Sequence, residues 1–292
     1  MIKMSIGAAI SETIAFLKAN WMQMLMWLGG AVVLACLLGW LLLGSAMSSM
    51  MMSQGDPAAA IGVFAKIILF ALIAGTIVFA ASLLIWRSGL VGGDPAGDVG
   101  WGLGAGAAYM VAMMVVYIAT VILMYIFLFI IGLLAFAVFG ASGMSIESLA
   151  TSGAGPGLIF FGALIYIAII VFFLWFFGRL SVAGPLMAVE RSSNPFSAFM
   201  ESWRLTGASQ WTIVGFNLIM MILFFIFAFI MSMLFGGMSP GMMGAPGAGA
   251  GSFIGVLLFV IVVYVPTILV SVSMPAAVYR CISAKSGSDV FA

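Results

Sequence analysis

Tyr125-Ile126-Phe127-Leu128-Phe129-Ile130-Ile131-Gly132-Leu133-Leu134 is apolar at every position but its first and shows no alternation. A membrane barrel strand would switch between polar and apolar residues over about 10 positions. This run lies instead inside a longer apolar stretch, 109–138. Crossing the hydrocarbon core as a helix takes about 20 such residues at 1.5 Å each. Five further stretches meet that requirement: 21–45, 62–86, 158–180, 211–235 and 253–278. Each lacks an ionised residue in its middle and is bounded by glycine, proline, serine or charge. The expected fold is all-α: a polytopic integral membrane protein with six transmembrane helices.

Composition points the same way. Of 292 residues, 65% are hydrophobic and 6% charged, with mean hydropathy +1.35. A soluble domain carries about 25% charged residues and could not keep this much apolar surface from water. Nine Lys and Arg against eight Asp and Glu leave a net charge of +1, which excludes a basic surface for nucleic acid. Histidine is absent, and with it the commonest general base and metal ligand. Cys36 and Cys281 lie far apart in or beside apolar stretches, so they are expected to be free thiols packed as small hydrophobes. The segment before Trp21 carries Lys3 and Lys18 and does not read as a cleavable signal. The first apolar stretch is thus expected to remain as a span, and residues 1–292 to form one membrane domain.

Charge placement sets the direction. Lys3, Lys18, Arg87, Arg179, Arg191, Arg204, Arg280 and Lys285 fall before the first span, in the even-numbered loops or after the last span. The odd-numbered loops, 46–58, 140–156 and 236–251, hold no Lys or Arg. The positive-inside rule then places both termini in the cytoplasm, and the expected location is a bacterial-type inner membrane. Lys66 is the remaining cation. Counting back from Trp86 and Arg87, a 20-residue core ends near it, so its stem is expected to snorkel to the outer interface, toward Asp56.

Internal similarity suggests three units, at about 5–90, 98–191 and 195–283. Ser181-Val182-Ala183-Gly184-Pro185 ends span four as Ser271-Val272-Ser273-Met274-Pro275 ends span six, and an arginine follows each, Arg191 and Arg280. Span two closes more simply, at Trp86-Arg87-Ser88-Gly89. Residues 5–20 put Ile6, Ile10, Ile14 and Leu17 on one helical stripe, and 195–207 do so with Phe196, Phe199, Met200 and Trp203. Asn194-Pro195 supplies a cap and a first-turn proline. Each unit is therefore expected to be a cytoplasmic interfacial helix followed by an out-and-back hairpin. The middle unit is degenerate, because glycine at 100, 102, 104 and 106 disfavours a stable helix. That glycine series is expected to be a flexible loop packed closely on a neighbour, and Gly75, Gly132 and Gly162 to let helices approach.

Arg179-Leu180-Ser181-Val182-Ala183-Gly184-Pro185-Leu186-Met187-Ala188-Val189-Glu190-Arg191, with Asn194-Pro195-Phe196 and Glu201-Ser202-Trp203-Arg204-Leu205-Thr206-Gly207, resembles a family of bacterial multi-spanning proteins. That family includes the membrane domain attached to some glycerophosphoryl diester phosphodiesterases. The likeness covers roughly a tenth of the chain in motif and the rest only in hydropathy and span count. In the fused relatives the chemistry belongs to a soluble barrel that this chain lacks. The resemblance thus implies a lipid-adjacent, accessory or scaffolding role, and does not imply phosphodiesterase activity.

Residues that carry chemistry are sparse. Glu12, Asp94, Asp98, Glu190, Glu201 and Asp289 fall on cytoplasmic segments and Asp56 and Glu147 on outer loops, so no carboxylate pair is expected in a span. Glu190 beside Arg191, and Glu201 three before Arg204, read as solvated local pairs. Without membrane-buried charge, an ion-coupled transporter is disfavoured. Asn217, and Thr267 beside Pro266, are the best intramembrane polar candidates, with Thr267 or Ser271 able to satisfy a carbonyl that Pro266 leaves free. Arg179, Arg191 and Arg204 could gather as a phospholipid headgroup site. Met50, Met51, Met52, Met238, Met242 and Met243 offer thioethers for Cu(I), although no His or Cys accompanies them. No cofactor is expected. The reading is a non-enzymatic scaffold, an accessory subunit of a membrane complex or a lipid-interacting protein, with membrane lipids and other subunits as partners. The alternative is a carrier of a lipid or small uncharged solute, with Asn217, Thr267 and tyrosines such as Tyr117, Tyr166 or Tyr264 lining its cavity.

Overall fold

The computed structural model describes residues 4–52, 57–141, 156–234 and 260–288, and among them every regular element is helical. In chain order these are α1 (Ile6–Met52), α2 (Pro57–Val91), α3 (Val99–Ala141), α4 (Pro156–Leu180), a short α5 (Ala183–Glu190) and α6 (Pro195–Thr206). A 3-10 turn, Gly207–Ser209, leads into α7 (Gln210–Leu234), and a π turn, Val260–Tyr264, leads into α8 (Val265–Ser288). Six stretches are long and apolar enough to cross a membrane: Ile6–Gly44, Ala60–Val91, Val99–Leu134, Phe160–Glu190, Pro195–Met231 and Val262–Ser283. The protein is an all-α, multi-pass membrane protein.

The interfacial helices turn out differently in the three units. In the first there is no separate one, because α1 runs unbroken from Ile6 through Trp21 to Met52. No glycine or proline lies near the expected break, and Asn20 turns its amide back on the Phe16 carbonyl at 2.9 Å without leaving the helix. In the second, the glycine series is helical after all, since α3 begins at Val99. A Cβ at Gly106 would come within 2.7 Å of the Ala80 backbone nitrogen, and one at Gly102 within 3.0 Å of Leu84. Close packing of α3 on α2 thus outweighs the modest helix penalty of glycine, about 1 kcal/mol each. In the third, α6 is a helix of its own. The Asn194 side chain accepts from the Phe196 and Ser197 amides, Pro195 occupies the first turn, and the turn at Gly207 separates α6 from α7.

The helix partners do not follow the proposed hairpins either. Among the described residues, α1 and α2 are the one expected out-and-back pair that packs closely. α3 lies against α2, α8 against α1, and α4 against α7, while the pairs α3–α4 and α7–α8 meet at most marginally among the described residues. Two groups result: a row α3–α2–α1–α8, and the pair α4–α7 touching α1 through α7. The short helices join them, α5 resting on α2 and α6 bridging α5, α3 and α4.

Burial is concentrated where these short helices sit. The main core combines Phe16, Met24 and Leu28 of α1, Leu83 and Trp86 of α2, Tyr109 of α3, Met187 of α5, Phe199 of α6 and Ala276 of α8. A second cluster joins Met4, Val182, Ile213, Phe216 and Val278. Away from that end the helices turn large apolar side chains outward, among them Trp40 at 75% exposure, Ile61 at 70% and Phe225 at 68%. In water each such side chain would cost about 1.5–3 kcal/mol, whereas acyl chains solvate it without penalty. Gly75 is a contact point of the expected kind, facing Met110, but a Cβ at Gly132 or Gly162 would meet nothing within 4 Å. Lys66 is exposed on α2, 21 residues before Arg87. That is about 32 Å along a helix, close to the roughly 30 Å hydrocarbon thickness.

Candidate functional site at the charged end

Every ion pair among the described residues lies at the packed end. The most connected one centres on Asp98, the residue that precedes α3. Its Oδ2 accepts from Arg87 Nε at the end of α2, and its Oδ1 lies 2.8 Å from Arg191 Nη2, just past α5. Arg87 Nη1 also donates to the Ala188 carbonyl at 3.0 Å, and the Arg87 guanidinium sits 5.8 Å from the centre of the Trp101 ring. One carboxylate thereby ties together the ends of three helices. The Arg87 hydrogen bond, aided by the charge of Arg191, holds the Asp98 carboxyl below the usual carboxylate range against an opposing effect of desolvation. Arg191 reaches Asp98 from a left-handed backbone conformation, φ 52°, that terminates α5, while the Ser192 amide bonds to the Met187 carbonyl. The adjacent pair expected between Glu190 and Arg191 is therefore replaced by a bond across helices. Sequence reasoning placed Asp98 on a cytoplasmic segment and named no partner for it. Its position directly before a long helix was the available clue.

Arg179 has a different environment. It is buried, 7% exposed, in the last turn of α4. Its guanidinium lies 4.5 Å from the Trp203 ring centre, with Nη1 3.5 Å from Gln210 Oε1. A Cβ at Gly207, which ends α6, would stand 3.2 Å from that same Nη1. Two helix C-termini thus flank the cation, each carrying the negative end of a dipole. The Arg179 carbonyl accepts hydroxyl hydrogen bonds from Ser202 at 2.7 Å and Thr206 at 3.3 Å. Arg179 clamps α6 to α4.

The three arginines expected to gather have separate partners: Arg179 has Trp203 and Gln210, Arg191 has Asp98, and Arg204 has Glu201 at 2.6 Å in the local pair that spacing suggested. Arg191 and Arg204 keep 56% and 77% of their side chains exposed, leaving donors for an external anion. A fourth arginine, Arg280, donates to the Gly89 carbonyl at 2.7 Å, faces Glu12 at 3.6 Å and covers the Phe16 ring. With Met4, Ser5 and Ala8 it lines an open cleft between the start of α1 and the end of α8.

The intramembrane polar candidates do not converge on one another. Thr267 donates to the Val263 carbonyl at 2.7 Å, inside the π turn that precedes Pro266, and Ser271 donates to the Ile268 carbonyl at 2.8 Å. The amide of Asn217 in α7 lies against Gly178 of α4, where a Cβ would meet Nδ2 at 3.2 Å. Tyr117, Tyr166 and Tyr264 are each more than half exposed. The side chains of Met50, Met51 and Met52, and the whole of Met238, Met242, Met243, Asp56 and Glu147, lie outside the described residues. No group of three His, Cys, Asp or Glu suited to a metal ion occurs among the described residues, and no disulfide joins Cys36 to Cys281.

The charged end can thus hold a fixed shape and present two partly free guanidinium groups. No family model, curated protein or solved structure matches this chain.

Proposed function

We propose that this protein is a non-enzymatic, lipid-interacting scaffold of the bacterial inner membrane, with both termini in the cytoplasm. The observation that carries this reading is the division of the molecule into two zones. At one end, Asp98, Arg87, Arg191, Arg179 and Arg280 join short and long helices into a packed platform. Beyond it, the helices turn large apolar side chains outward. A platform of fixed shape suits docking of other subunits or lipid headgroups, and the outward-facing apolar side chains suit contact with acyl chains. The motif from Arg179 to Gly207 that resembles the phosphodiesterase-linked membrane family supports the same lipid-adjacent role. The one-sided charge supports the orientation.

Two measurements test it. Reporters fused to either terminus should be active only in the cytoplasm, and periplasmic activity would overturn the orientation. Purification in mild detergent should bring down anionic phospholipid or a defined larger complex. A bare monomer, stripped of both, would overturn the scaffold reading. A carrier of lipid or small uncharged solute has less support, given where Thr267, Asn217 and the tyrosines lie.

A further inference from the structure

The side chains of α6 sort into three sectors. Ala198, Phe199, Ser202 and Thr206 are buried and hold the helix to its neighbours. The sides left open divide by chemistry. One is apolar, with Phe196 56% and Met200 77% exposed. The other carries Ser197, Glu201 and Arg204. At 3.6 residues per turn these form two adjacent edges, Trp203–Phe196–Met200 and Arg204–Ser197–Glu201, with no mixing between them.

Contacts with α4 say which way each edge faces. Ser202 and Thr206 donate to the Arg179 carbonyl, in the last turn of α4. Trp203 reaches further back along α4, to Trp175 at 5.5 Å and Phe176 at 6.0 Å between ring centres. Those two rings lie about 4.5–6 Å deeper in the span than Arg179. Turning around α6 from Ser202 to Trp203 is thus a turn toward the hydrocarbon, and Phe196 and Met200 follow in the same direction. The opposite turn leads past half-buried Leu205 to Glu201, Ser197 and Arg204, away from the span. The apolar edge also continues into the lipid-facing surface of α4, because Phe176 stacks on Phe172, itself 41% exposed. Trp211, 65% exposed in the first turn of α7, marks the same level, since tryptophan collects at the membrane–water boundary.

We propose that α6 lies in the charged-side leaflet, with Phe196 and Met200 inserted at the boundary of headgroups and acyl chains and with Glu201 and Arg204 turned to the headgroups and water. The occupant of the apolar edge is lipid, and not a second protein. The proposal rests on the lipid-interacting reading above and gives it a contact surface and an orientation. Because α6 also bridges α3 and α4, with Phe199 on Tyr109 at 5.8 Å, the leaflet becomes a further support of the link between the two helix groups.

The test uses the full chain in bilayers of phosphatidylethanolamine and phosphatidylglycerol, with Cys36→Ala and Cys281→Ala as background. Phe196→Cys, Met200→Cys, Ser197→Cys and Arg204→Cys, made singly, each carry a nitroxide, and Phe225→Cys on the outward face of α7 serves as the lipid reference. At positions 196 and 200, collisions should favour oxygen over a water-soluble nickel chelate, as at 225. At 197 and 204 the preference should reverse, with the ratio shifted several-fold. Nickel access at 196 and 200 equal to that at 197 and 204 would overturn the insertion; if anionic phospholipid still co-purified, the lipid-interacting reading would stand, and if it did not, both would fall. Protection of 196 and 200 from both reagents would assign the edge to a protein surface and overturn the insertion as well. The unsubstituted chain gives an independent check. A phosphatidylethanolamine with a diazirine near the ester end of one acyl chain should label Phe196 and Met200 several-fold above Ser197 and Glu201, and even labelling of the four would overturn the proposal.

Discussion

The indole Nε1 of Trp86 donates a 2.7 Å hydrogen bond to the carbonyl of Val272, 186 residues away in the chain. Gly184 packs against the face of the same ring, so closely that a Cβ there would overlap it. Val272 is the second residue and Gly184 the fourth of the two Ser-Val motifs that end spans six and four, and Trp86 ends span two. The three span ends thus meet at one buried indole, which is 5% exposed. Just beyond Val272, Pro275 interrupts the α8 hydrogen-bond ladder, since it has no amide to give the Ser271 carbonyl.

Trp86→Phe should keep the ring packing but remove the indole donor to the Val272 carbonyl, at about 0.5–1.5 kcal/mol. Thermal unfolding in mild detergent should shift down by a few degrees. Gly184→Ala should do more damage, because the added methyl has no room beside the ring. If both variants melted with the wild type, Trp86 would not be the junction of the three span ends.

The glycine series of α3 should divide by position. Gly106→Ala brings a Cβ to 2.7 Å from the Ala80 nitrogen, so α2 and α3 must separate and stability should fall by about 1–3 kcal/mol. At Gly104 nothing lies within 4 Å of an added Cβ. There Gly104→Ala should be neutral or stabilise by up to about 1 kcal/mol through helix propensity. Equal effects at the two positions, read as unfolding midpoints in one detergent, would remove close approach as the reason for the series.

How much of this was legible in the sequence follows from what the bilayer dictates. Hydrocarbon thickness fixes span length, so runs such as 125–134 announced helices and their number. Charge asymmetry announced the side on which Arg87, Arg179, Arg191 and Arg280 would assemble. Helix partners were not legible. In lipid a leucine is equally at ease against a tail or a neighbouring helix, so the hydropathy of α3 does not say that it prefers α2 to α4. The glycines at 102 and 106 did carry that information, but their propensity against isolated helices concealed it. The partners of Asp98 were hidden for a related reason: the sequence separates it from Arg87 and Arg191, and only the fold brings the two arginines to it.

Asp98 also sets an acid limit. Its carboxyl titrates lower in the folded protein than the ordinary value near 3.9. The folded state therefore gains from its ionisation above that ordinary value, and loses the gain as pH falls through the folded-state value. Stability in detergent should be insensitive to this group from pH 8 to about 5 and should drop below about pH 4. Asp98→Asn should lower the unfolding midpoint at neutral pH, where Arg87 and Arg191 would face each other without a carboxylate, and should flatten the acid-side drop. A variant curve parallel to the wild type down to pH 3 would show that the bridge is not coupled to folding.

The arginines named together by sequence should separate in function. Arg179 is buried between two helix C-termini and the Trp203 ring, so Arg179→Gln removes a charge that those dipoles stabilise and should cost about 1–3 kcal/mol. Arg179→Lys should recover only part of this, since an ammonium cannot lie flat on an indole as a guanidinium does. Arg191 and Arg204 are more than half exposed, so replacing both by Gln should leave the Trp203 clamp intact. The double variant should nevertheless co-purify with several-fold less anionic phospholipid, because the proposed headgroup contact draws on these two exposed guanidinium groups. The two readouts must therefore cross: Arg179→Gln loses thermal stability and keeps its anionic lipid, while the double variant keeps α6 in place and loses lipid. If Arg179→Gln instead shed lipid with no change in unfolding midpoint, Arg179 would be a ligand for headgroups, and its role as the clamp between α4 and α6 would have to be abandoned.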